Sequence, residues 1–234
     1  MAEFKDTEQE QVNKTFDGEK RKLAQMNFGQ KVDYIFTYYK VHMVIALIII
    51  ATIIYIVHNR MTYVEYKLYG VVINSSELND SLEKTLPEIL GMKDHEGFSF
   101  IGGLSGDVDS NSTSYYNQID LYTVSGQMDF AFTDEAGAQY LCDLGTPWDV
   151  TEVLPDELLS IWSNREVEFN QRNENDDSYF TNYAAIDISG TAVHDYFGLD
   201  DNMCYLVIVG NPSENEYMDD FYQLLIDIEN GEVE

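Results

Sequence analysis

Asp107, Asp109, Asn111 and Thr113 alternate along the stretch GDVDSNSTSYYNQID. Alternating oxygen-bearing side chains in one loop are the pattern that offers several ligands to a Ca²⁺ ion. An EF-hand loop also needs Gly at its sixth position and Glu at its twelfth, and here these are Ser112 and Gln118. The competing reading is a polar surface loop that leads into the next helix. The four histidines, His42, His58, His95 and His194, are scattered, and no HExxH, CxxC, Walker or GxSxG motif is present. His194 and Asp195 are neighbours on an expected helix and should point apart. No catalytic residue and no cofactor is therefore assigned, and the chain reads as a non-enzyme.

The two cysteines are too few for a disulfide scaffold. Cys204 sits in the apolar run MCYLVIV and reads as a buried thiol, with a bridge to Cys142 as the alternative. The acidic runs NENDD (173–177), LDDN (199–202) and ENEYMDD (214–220) read as solvated faces or as a surface for a basic partner. Tyr115, Tyr116, Tyr122, Tyr179, Tyr183 and Tyr217 could build a sugar- or peptide-contacting face, or serve as half-buried packing.

The charge is uneven. Forty-two acidic residues against 13 basic ones give a net charge of −29, and residues 1–57 are balanced, so the whole excess lies in residues 58–234. A polyanion of that strength repels phosphate backbones, which excludes nucleic acid as a partner. The boundary coincides with Val41 to Val57, 17 residues without a formal charge. As a helix this stretch spans roughly 25 Å. Tyr38, Tyr39 and a snorkelling Lys40 extend it toward the ~30 Å of a bilayer core. No small-x-small cleavage site follows, so it reads as an uncleaved signal anchor that holds the chain in a lipid bilayer through residues 41–57. Lys20, Arg21, Lys22, Lys31 and Lys40 precede it, against Arg60 and Lys67 after it. That bias puts the N-terminus in the cytoplasm and the C-terminal domain outside.

The expected organisation is a polar cytoplasmic segment (1–25), an amphipathic juxtamembrane helix (26–40), the transmembrane helix (41–57), a linker (58–65) and an acidic extracytoplasmic α/β domain (66–234). Strands are expected at 66–74, 98–104, 128–133, 166–171, in NYAAIDIS and in MCYLVIV, alternating with helices. Among the helices, Leu78, Leu82 and Leu86 share one face behind a Ser75 or Ser76 cap. Gly145 closes another, Pro155 opens a third, and the last begins with a Ser213–Glu216 capping box. Strand–helix alternation with the continuously apolar YLVIV predicts an α/β domain with a mostly parallel sheet.

The run from Tyr115 to Gly145 resembles the type 2 extracellular solute-binding proteins of bacterial transporters, through Ser125, Gly126 and the early strand residue Asp129. YAAIDIS, followed by YLVIVGNPSENEYMDDFYQLL, resembles the later strand–helix pair of that family. The resemblance covers residues 68–228. It implies a reduced, membrane-tethered version of a lobe that binds a small ligand, and it carries over no ligand-binding residue. The expected function is a single-pass, membrane-anchored extracytoplasmic binding or protein-interaction module, accessory to another membrane or envelope protein. The alternative is a transmembrane sensor that relays an outer signal to its inner 40 residues.

Overall fold

A computed structural model describes residues 16–75, 81–105, 113–173 and 175–233. The chain divides between Tyr63 and Val64 into two compact units. The first contains helices α1 (Phe16–Gln25) and α2 (Phe28–Thr62). A capping box starts α2: Gln30 N donates to Asn27 Oδ1 at 3.0 Å, and Asn27 N donates to Gln30 Oε1 at 3.1 Å. The helix then runs without interruption through Tyr38, Tyr39, Lys40, Val41 and Val57. Tyr39–Thr62 is long and apolar enough to cross a membrane, with mean hydropathy 2.5 and none of its most apolar stretch buried in protein. Within this span Thr52 donates its hydroxyl to Ile48 O at 2.8 Å, so the helix satisfies that group internally.

The second unit is built on one six-stranded sheet. Its strands are β1 (Glu65–Ile73), β2 (Glu96–Leu104), β3 (Phe130–Thr133), β4 (Glu166–Arg172), β5 (Tyr179–Asp187) and β6 (Tyr205–Ile208). The order is β2-β1-β3-β6-β5-β4. The sheet is mixed rather than mostly parallel: β1 pairs in parallel with β2 and β3, whereas β3–β6, β6–β5 and β5–β4 are antiparallel. Two connections explain the difference. Only residues 173–178 join β4 to β5, too few for a crossover, so the two strands pair as an antiparallel hairpin. The β5–β6 connection holds only the six-residue α8 (Ala192–Phe197). At about 9 Å this helix is too short to carry the chain back along the sheet.

Helices cover both faces, which is why Leu206, Val207 and Ile208 are buried in succession in an antiparallel strand. Side chains alternate across the pleat. One face presents Leu68, Val72, Phe98, Phe100, Phe130, Phe132, Leu206 and Ile208. It packs under α3 (Leu82–Ile89), α6 (Val150–Val153), α7 (Asp156–Ile161), α8 and α9 (Met218–Glu229). Phe130 stacks on Phe221 of α9 at 4.1 Å between centroids, and Phe132 meets Phe197 of α8 at 4.8 Å. The other face presents Val71, Ile73, Ala131, Ala184, Ala185 and Val207 to α4 (Thr113–Val124) and α5 (Glu135–Leu144). Small residues there let α5 lie close to the sheet. Edge strand β4 alternates buried Phe169 and Gln171 with exposed Glu168, Asn170 and Arg172.

Three expected helix starts differ. Ser75 does not cap a helix; its hydroxyl donates to the Asp200 carboxylate, the alternative cap Ser76 and Leu78 lie outside the described residues, and α3 is described from Leu82 with Pro87 inside it. Pro155 occupies the cap position, one residue before α7. Ser213 and Glu216 form no capping box, because asparagines hold that stretch in turns: Ser213 N donates to Asn211 Oδ1 and Tyr217 N to Asn215 Oδ1. Helix α9 therefore starts at Met218, with its expected stripe of Phe221, Leu224, Leu225 and Ile228 buried.

Gly137 is where α5 touches the sheet most tightly. A Cβ there would lie 2.0 Å from Thr133 Oγ1 and 2.9 Å from Ile73 Cγ2. In an exposed helix Gly→Ala gains ~1 kcal/mol; here the overlap should reverse the sign. Gly137→Ala is expected to destabilise the fold by about 1–3 kcal/mol. Denaturant unfolding of the full chain in detergent measures it, and equal or greater stability would contradict the close packing.

Candidate functional site

Strand β5 pairs with β6 only through Ile186 and Asp187. Before that point it leaves β6, and the loop after α5 fills the gap. Trp148 N donates to Ile208 O at 2.9 Å, in place of a strand partner. Two buried amides hold the loop from the other side. Gln171 Nε2 donates to Gly145 O at 3.0 Å and to Pro147 O at 2.9 Å. Asn182 Nδ2 donates to Gln171 Oε1 at 2.5 Å. Gln171 and Asn182 are 4% and 6% exposed, and the network satisfies most of what their burial takes from water.

This wedge leaves an open cleft of about 1020 Å³ at that end of the sheet. Trp148 and Phe180 stand in its lining while remaining 39% and 46% exposed. Its charged lining residues are Asp120, Asp149 and Glu152, with no lysine or arginine among the described residues that line it. Asp120 Oδ1 accepts from Tyr140 Oη at 2.8 Å. Asp149 Oδ1 caps α6, accepting from Thr151 N at 2.9 Å and Thr151 Oγ1 at 2.6 Å. The arrangement can hold a ligand with an apolar or π-facing surface and hydrogen-bond donors; it offers little to an anion.

Asp129, expected in a strand, lies just before β3, at the rim of a smaller adjoining hollow of about 440 Å³. It is 7% exposed and knots three segments together. Asp129 N donates to Tyr69 O, its carbonyl accepts from Val209 N and Gly210 N, and Oδ2 accepts from Tyr69 N at 2.8 Å. Gly210 must be glycine for this approach, since a Cβ would lie 2.7 Å from Asp129 Oδ1. Burial raises the Asp129 pKa, opposed by hydrogen bonds from Asn215 and Tyr69 N.

Of the Ca²⁺ candidates, Asp107, Asp109 and Asn111 lie outside the described residues, and Thr113 opens α4. No group of three or more His, Cys, Asp or Glu side chains suited to a metal occurs among the described residues. His194 is buried, with Nε2 3.1 Å from Asp200 O; its Nδ1 lies 3.7 Å from Asp195 Oδ1, closer than adjacent helix positions suggest. Tyr217 and Tyr122 pack on opposite faces of the sheet, so these two do not share one face, and the side chains of Tyr115 and Tyr116 lie outside those described. Both cysteines are free. Cys142, on the sheet-facing side of α5, is buried, and burial pushes its thiol up to about 12. Cys204 is half-buried, donates to Asp201 O at 3.3 Å, and is raised by burial and by nearby carboxylates.

The cleft residues had escaped sequence reasoning. The available signal was the strand alternation itself, which puts Gln171 on the buried face with Phe169, and Asn182 on that of Ala184. No protein-family model matches the chain, and comparison with curated proteins and with solved structures returns no match.

Two measurements check the local chemistry. With a maleimide at neutral pH, the native protein should lose at most one thiol, Cys204, and Cys142 should react only after denaturation; two native equivalents would contradict its burial. For Asp129, the folded state holds the proton to higher pH than the unfolded chain, so the ionised carboxylate costs stability above the raised pKa. That cost disappears as pH falls toward the ordinary 3.8. Asp129→Asn keeps an oxygen for Tyr69 N. The stability of the wild type relative to this variant should improve between pH 7 and pH ~4, and worsening on acidification would show the ion to be net stabilising.

Proposed function

We propose that the chain is a single-pass, membrane-anchored binding module, with its N-terminus in the cytoplasm and residues 66–234 outside. It captures a ligand or a membrane-protein partner without converting it. The observation that carries this reading is the cleft between β5, β6 and the 145–149 loop. Its two half-exposed rings and buried amide clamp hold binding groups on rigid elements. The anchor is supported by Tyr39–Thr62, and the orientation by the excess of lysine and arginine before it. The weak resemblance to solute-binding lobes agrees with capture in a cleft at one end of a sheet. The excess of negative charge outside the span favours cationic or neutral partners over anionic ones.

The test uses the full chain in its own membrane, with a tag at each end. Protease added to intact cells should remove the C-terminal tag and spare the N-terminal one; the reverse pattern overturns the orientation. A photo-crosslinking residue at position 148 should yield a discrete adduct in cells that the same group at exposed Glu88 does not. Failure to form any adduct from position 148 would overturn capture at this cleft.

A further inference from the structure

We infer that the cleft takes a small organic cation, an alkylamine or quaternary ammonium compound. This rests on the binding-module reading above and names the chemistry of its ligand. The first ground is size: about 1020 Å³ lies at the upper end of the range for small-molecule sites, ~300–1,000 Å³. The second is the pair of rings. Trp148 is half-exposed although its main chain is fixed to β6 and its loop is clamped by Gln171. A large aromatic surface held rigidly open to solvent is a suitable face for a cation, and Phe180 offers another on β5.

Charge selects among ligands that fit. Asp120 at the end of α4, Asp149 in the loop and Glu152 on α6 bring carboxylates from three elements, and none of the described lining residues is basic. The hydrogen bonds that position Asp120 and Asp149 all fall on Oδ1, which leaves Oδ2 of each to accept from the ligand. An anion entering here would meet three like charges within a domain that carries the whole −29.

A separate observation extends the site past Glu152. That residue also lines an adjoining hollow of about 410 Å³ with Asn215, Glu216, Asp219 and Tyr222. Tyr222 is 2% exposed, and its hydroxyl has no hydrogen-bond partner. The hollow's lining also includes the carboxylates of Glu152, Asp219 and Glu216, the last paired with Lys93 at 3.1 Å, and a carboxylate can accept but not donate. An unmatched hydroxyl beside acceptors is a place where the N–H groups of a second ammonium would be satisfied. An extended amine can thus put one charge between the rings and carboxylates of the large cleft and another toward Tyr222.

The protein has two tryptophans, and Trp162 is 1% exposed, so Trp148 reports on the cleft. The full chain in detergent micelles is titrated at constant ionic strength with choline, spermidine, glucose and succinate. A saturable change in tryptophan emission with choline or spermidine, and none with glucose or succinate, is expected. Glu152→Gln and Asp120→Asn should each weaken cation binding about 10-fold, while Glu157→Gln, outside the cleft, should leave it unchanged. Saturation by glucose or succinate alone, no saturation by either cation, or equal weakening by Glu157→Gln overturns the assignment. If the cations fail while the residue-148 crosslink forms, the ligand class is wrong and the binding module stands; if both fail, so does the module.

Discussion

The side-chain amide of Gln171 takes the place of a strand. Where β5 leaves β6, the main-chain carbonyls of Gly145 and Pro147 would face a buried gap, and an unmet buried carbonyl costs about 1–3 kcal/mol. Gln171 Nε2 supplies both donors, and Asn182 in turn satisfies Gln171 Oε1. With the loop fixed, Trp148 can bond to the end of β6 through its main chain and still leave its ring half-exposed. The cleft is therefore a consequence of a sheet that splits at one end and a short polar clamp that keeps the split from collapsing.

The two faces of the same sheet solve different packing problems. On the first, phenylalanines from β2 and β3 fill a broad layer under five helices, and contacts such as Phe130–Phe221 add ring geometry to buried area. On the second, Ala131, Ala184, Ala185 and Gly137 bring α5 against the strands. The thin side is the one that ends in the cleft, because α4 and α5 terminate there at Val124 and Leu144. Asp129 ties the neighbouring corner through main-chain and side-chain bonds at once, so a buried carboxylate is kept although burial opposes its charge.

Element order was legible in the sequence because each strand and most helices have a periodicity of their own: Leu68, Val72, Phe130 and Phe132 alternate, and Phe221, Leu225 and Ile228 recur at helical spacing. The long apolar helix was legible instead from its unbroken length, the 17 residues Val41 to Val57 without a formal charge. Strand direction was not, since YLVIV is as apolar in an antiparallel strand covered on both faces as in a parallel one. Four-residue α6 is barely one helical turn, too short for a repeating pattern to show. The clamp was hidden because its partners are 24 residues apart along the chain, and a glutamine in a strand reads as a surface residue until its neighbour Phe169 is seen to be buried.

Edge strand β4 points Glu168 and Arg172 outward beside Asn170, with Glu166 at its start. Were the open rim of one molecule to dock on that of another, two domains already strongly anionic would be drawn together. Crowding many copies into one plane would therefore leave their sheets separate, and this rim, where Asn170 O already accepts from Gln139 Nε2, would not seed fibrous stacks.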